Sequence, residues 1–85
     1  MTIHVTHDHI RAGHGGDYES DAMALAIKDA TGALCVAVGD DCVQVDGDVY
    51  PLPPRATAFV YNLDNRLPVY PLSFELPIPR GKEAA

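Results

Sequence analysis

Four histidines crowd the start of the chain, His4, His7, His9 and His14, and imidazole is the side chain best suited to hold a transition metal or move a proton near neutral pH. The spacing argues against one shared ion. A helix beginning at His7 would turn His7 and His9 to nearly opposite sides, and no second Cys or His cluster completes a tetrahedral set. A metal-binding module built on these histidines is therefore the alternative reading, and no cofactor is expected. Cys35 and Cys42 lie within strand-like runs, away from any helix start that would activate a thiolate, and read as small buried hydrophobes. Gly13, Gly15 and Gly16 follow a short helical stretch, where a phosphate-cradling loop would join a strand to a helix. Nothing in this inventory points to catalysis.

The carboxylates point more strongly. Twelve Asp and Glu stand against six Lys and Arg, a formal net charge of −6. Between Ala12 and Pro54 the acids are Asp17, Glu19, Asp21, Asp29, Asp40, Asp41, Asp46 and Asp48, and the only base is Lys28. Such a field repels nucleic acid and speeds encounter with basic surfaces. Asp46 and Asp48, two residues apart on an extended chain, would sit roughly 6.7 Å apart, matching two phosphate steps of about 3.4 Å along a DNA strand. The expected partner-binding set is Asp17, Glu19, Asp21, Asp40, Asp41, Asp46 and Asp48, presenting phosphate-like charge to a basic protein surface.

These side chains need elements to hold them, and the segment 33–52 supplies the clearest. Val36, Val38, Val43, Val45 and Val49 fall on one parity within three short runs, which suits a meander with one buried face. Gly39-Asp40-Asp41 and Asp46-Gly47-Asp48 are hairpin-turn chemistry. A two-residue Asp40-Asp41 loop sets Val38 opposite Val43 and Val36 opposite Val45. The other face then receives Cys35, Ala37, Cys42, Gln44 and Tyr50.

Before the meander, Ile3 and Val5 alternate with polar neighbours as a strand, and Thr6 caps a short helix over 7–12 that Gly13 stops. His14-Gly15-Gly16-Asp17 reads as a flexible loop. Ser20 caps the main helix, whose stripe is Met23, Ala26, Ile27 and Ala30 and whose stop is Gly32. After the meander, Pro53-Pro54 opens a helix over 54–64, with Asn65 as a left-handed exit. Leu72, Phe74, Leu76 and Ile78 alternate as a last strand, placed at a sheet edge by Pro77. The sum is an α+β fold: a four- to five-stranded, mainly antiparallel sheet with two main helices and one short helix on one face.

Eighty-five residues suit one core that buries roughly 60% of the unfolded surface, so the expected domain is 1–79 with a frayed tail over 80–85. No apolar run reaches membrane-spanning length and no signal peptide opens the chain, so the expected compartment is the cytoplasm.

Val5-Thr6-His7-Asp8-His9-Ile10 closed by Gly13, Ala24-Leu25-Ala26-Ile27-Lys28, and Arg66-Leu67-Pro68-Val69-Tyr70-Pro71-Leu72-Ser73-Phe74-Glu75-Leu76 together resemble short proteins encoded by phages and mobile elements. Those proteins are similar in kind to anti-CRISPR and other anti-defence inhibitors. The resemblance implies a non-catalytic inhibitor, monomer or homodimer, that covers the nucleic-acid site of a host defence complex. Thr6-His7-Asp8-His9 also resembles the metal motif of metallo-β-lactamase-like hydrolases, but Arg11-Ala12 stand where that motif needs Asp-His. A third reading is a small structural protein that dimerises through a strand edge or the Cys35, Cys42, Tyr50 face.

Overall fold

The computed structural model describes residues 1–13 and 21–78. The elements follow the expected order: β1 (Thr2–Val5), α1 (His7–Ala12), α2 (Ala22–Thr31), β2 (Val36–Val38), β3 (Cys42–Val45), β4 (Asp48–Pro51), α3 (Pro54–Asp64) and β5 (Leu72–Glu75). The fold is α+β, and every strand pairing is antiparallel. The expected loop at 14–17, the Ser20 cap and the tail over 80–85 fall outside the described residues.

In the meander, Val36 pairs with Val45 and Val38 with Val43, the register that a two-residue Asp40-Asp41 loop demands. The Gly39 amide donates to the Cys42 carbonyl at 2.8 Å and closes that loop. All four valines are buried. The second turn is equally tight: Asp46 (φ 47°) and Gly47 (φ 93°) are both left-handed, the pattern of a type I′ hairpin, and Val45 pairs with Asp48.

That second turn corrects the expectation for β4. Because Asp46-Gly47 is a two-residue loop, Val43 lies opposite Tyr50 and Gln44 opposite Val49. Tyr50 therefore joins the core side, half-buried, while Val49 stands on the outer face, 64% exposed. Cys35 is exposed and Cys42 half-buried, both free thiols on the uncovered side of the meander, so they are not the buried hydrophobes expected.

The strands also divide. β1 pairs with β5 alone, Ile3 opposite Phe74, and β2, β3 and β4 form a separate sheet, where one continuous sheet was expected. Helix α2 packs on both β1 and β2, so it joins the two sheets without a shared hydrogen-bond ladder. Its buried Met23, Ala26 and Ile27 meet one apolar cluster with Ile3, Val5 and the meander valines.

Helix ends explain most boundaries. Thr6 and His9 form a reciprocal capping box at the start of α1. The N-cap of α2 is Asp21, one residue past the expected Ser20: its carboxylate accepts the Ala24 amide at 2.7 Å. Gly13 is needed for space and not for left-handed φ, since a Cβ there would come within 2.5 Å of the Ala22 nitrogen. Helix α3 does not exit through a left-handed Asn65 (φ −94°); Arg66 takes that conformation at φ 58°.

Core burial decides stability in a domain of this size. Ile3 is fully buried and Leu34 is 89% exposed, so Ile3→Ala is expected to lower the unfolding free energy by roughly 2–5 kcal/mol and Leu34→Ala by no more than about 0.5 kcal/mol, read from urea denaturation.

Candidate functional site

Of the seven carboxylates expected to make one patch, the five that lie within the described residues do not gather on one surface. Asp17 and Glu19 fall outside the described residues. Asp21 is 2% exposed and serves as the cap of α2, so it is removed from the surface. Asp40 and Asp41 sit on the turn between β2 and β3, and Asp46 and Asp48 border the turn between β3 and β4, at the opposite end of the meander.

Asp46 is occupied structurally. Its Oδ1 accepts the amides of Leu34 at 3.1 Å and Cys35 at 2.9 Å, while its own amide donates to the Cys35 carbonyl at 2.8 Å. The carboxylate therefore fixes the chain leading into β2. A charge held by two backbone donors is partly neutralised as a contact group.

The β2–β3 turn gains a carboxylate that sequence reasoning missed. The C-terminal half of α3 lies beside it, and Asp40, Thr57, Val60, Tyr61, Asp64 and Asn65 line a concavity of about 450 Å³. In the sequence Asp64 is only the last residue of the helix expected over 54–64. Its placement depends on how α3 lies against the meander, which no local pattern encodes. Among the described residues, the carboxylates of Asp40, Asp41 and Asp64 have no ion-pair or hydrogen-bond partner. Tyr61, 63% exposed, lines the same concavity as Asp40 and Asp64.

The histidines are tied separately into the scaffold. His4 Nδ1 lies 2.7 Å from Ser73 Oγ across the β1–β5 pair. His9 Nδ1 accepts the Thr6 amide at 3.0 Å, so the ring proton belongs on Nε2, which donates to Asp29 Oδ2 at 2.5 Å. Both nitrogens of His9 are thus engaged in holding α1 against α2, leaving neither for a metal or a substrate proton. His14 lies outside the described residues. Among the described residues, no group of three or more His, Cys, Asp or Glu is placed to hold a metal ion.

Among the described residues, Glu75 is a carboxyl whose titration the fold moves. A hydrogen bond from the Thr2 hydroxyl, followed by the Met1 amine, holds it below its ordinary value of 4.5. The ionised form is favoured in the folded state. Its stabilisation is therefore present above the ordinary carboxylate range and is lost as pH falls through the depressed value.

Comparison of the chain with protein-family models, with curated proteins and with solved structures gives no match in any of the three. Among the described residues, no helix is long and apolar enough to cross a membrane.

Two outcomes follow from these placements. Asn retains the acceptor oxygen and tolerates left-handed φ, so Asp46→Asn should leave the urea midpoint nearly unchanged, whereas Asp46→Ala, which strands the Leu34 and Cys35 amides, should cost about 1–3 kcal/mol. Separately, acidification below about pH 4.5 should lower the wild-type midpoint more steeply than that of Glu75→Gln; parallel curves would remove Glu75 from the acid response.

Proposed function

We propose that this chain is a non-catalytic binding module of the phage-inhibitor kind, and that its acidic end docks on a basic, nucleic-acid-binding surface of a host defence protein. The observation that carries the reading is the concavity at the end of α3, which Asp40 and Asp64 line together with an exposed tyrosine and where no described base neutralises them. Asp41 adds a third charge on the same turn.

Each part has a role in such docking. Unpaired carboxylates accelerate encounter with a cationic partner and set its orientation. Tyr61 offers a large, rigid, amphipathic side chain at low entropic cost, the type that anchors protein interfaces. Thr57 and Asn65 supply neutral polar groups beside it. The docking set is thus Asp40, Asp41, Tyr61 and Asp64, with Asp46 and Asp48 at the far end of the meander outside it. Resemblance of the quoted N-terminal, helical and C-terminal stretches to short phage proteins supports the choice of a defence complex in the host cytoplasm as target.

Quantitative mass spectrometry of host-lysate proteins captured on the immobilised chain tests this. Basic nucleic-acid-binding proteins should be captured at low salt, lost at high salt as charges are screened, and displaced by added duplex DNA. The pair Asp40→Lys with Asp64→Lys, exposed and without structural partners, should abolish capture, and Tyr61→Ala should weaken it by about tenfold or more. Capture that is indifferent to the charge reversal would overturn the assignment of this end as the contact.

A further inference from the structure

A second concave surface has the opposite character, and it lies outside the docking set. Two adjoining hollows, of about 570 and 360 Å³, share Arg55, Pro71 and Leu72 and so form one trough beside the first turns of α3. One end is lined by His4, Thr6, His7 and Ser73; the other by Asn62, Pro68 and Tyr70. No Asp or Glu lines it. In a chain with twice as many acids as bases, the described residues His4, His7 and Arg55 come together here with no carboxylate in the lining, and Glu75, outside it, acts on His4.

The donors in the trough are uncommitted. Among the described residues Arg55 has no carboxylate partner, His7 has no side-chain partner, and His4 uses only Nδ1, toward Ser73, leaving Nε2 unbonded. Arg55 also stands in the first turn of an eleven-residue helix, where the helix dipole disfavours a cation. The dipole therefore gives no reason for a cation at this position, and the exposed guanidinium is open to an external anion. At the other end Tyr70 is 73% exposed, a flat ring with no described ring partner.

We infer that the trough binds a free nucleoside monophosphate. The phosphate would take a forked pair of hydrogen bonds from Arg55, with His7 and the Nε2–H of His4 completing its shell while the Ser73 hydroxyl donates to His4 Nδ1 and fixes that tautomer. The base would stack on Tyr70, where Asn62 can bond its edge. A nucleic-acid strand fits less well, because a longer polyanion would run out of the trough onto a molecule of net charge −6. Binding here is separate from the docking of a basic protein at Tyr61, so either can fail without the other.

The test is an amide-resolved NMR titration of the intact chain with AMP. Saturable shifts are expected at Thr6, His7, Arg55, Tyr70 and Ser73. Inorganic phosphate and adenosine should each bind more weakly. Arg55→Gln, an exposed change that keeps the fold, should weaken AMP by about tenfold or more, and Tyr70→Ala should reduce AMP to the affinity of inorganic phosphate. Absence of saturable shifts at millimolar AMP, shifts confined to other surfaces, or an unchanged affinity in Arg55→Gln would overturn the inference. Tighter binding of a short 5′-phosphorylated single-stranded DNA than of AMP would overturn the assignment to a free nucleotide.

Discussion

The left-handed pair Asp46-Gly47 is the constraint on which the rest of the structure depends. With φ of 47° and 93°, these two residues turn the chain in the smallest loop a hairpin permits and set Val45 against Asp48. Side chains alternate along a strand, so a loop one residue longer would exchange the two faces of β4. The same turn recruits the Asp46 carboxylate to the amides of Leu34 and Cys35, and thereby positions β2 as well. This turn thus decides that Tyr50 faces inward with Val43 and Val45 and that Val49 does not, as the Asp40-Asp41 loop does for Val36 and Val38 against Cys35 and Ala37.

From that face the remaining architecture follows by burial. The valines need an apolar cover, and α2 provides it with small alanines and with Met23 and Ile27, while reaching across to Ile3 and Val5 of the two-stranded sheet. The two-stranded sheet could not stand alone, since two strands are marginal in water, and the three-stranded meander needs its valine face covered. Polar side chains serve the joints. Asp21 caps α2, and His9 links the cap of α1 to Asp29. Charge is what the core leaves over, and the turns and helix ends sort it, with Asp40 and Asp64 meeting at one place and His4, His7 and Arg55 at another.

Much of this was legible locally. Thr6, Gly32, Pro54 and the Asp40-Asp41 loop are short-range signals, and the helices over 7–12 and 54–64 and the β2–β3 register match what they predict. What was not legible is of two kinds. Val49 was misplaced because valine's preference for a pleated, half-buried surface is weaker than the parity imposed by a two-residue turn. Ser20 and Asp21 are equally good caps in adjacent positions, and nothing short of the helix itself chooses between them. The second kind is tertiary. β1 finds β5 across some seventy residues, and Asp64 comes beside Asp40 only when α3 lies down against the meander. The meander carboxylates divide for the same reason: proximity in sequence between Asp40, Asp41, Asp46 and Asp48 becomes separation to opposite ends once the strands fold back.

The account therefore rests on two concave surfaces of unlike charge, one lined by Asp40 and Asp64 and the other by His4, His7 and Arg55. Amide relaxation enhancements from a cationic and an anionic nitroxide probe, compared residue by residue, measure near-surface potential directly and without a ligand. The account predicts the strongest preference for the cationic probe at Asp40, Asp41, Tyr61 and Asp64, and a reversal in favour of the anionic probe at His7, Arg55 and Ser73. A potential that is uniformly negative over both regions would contradict it.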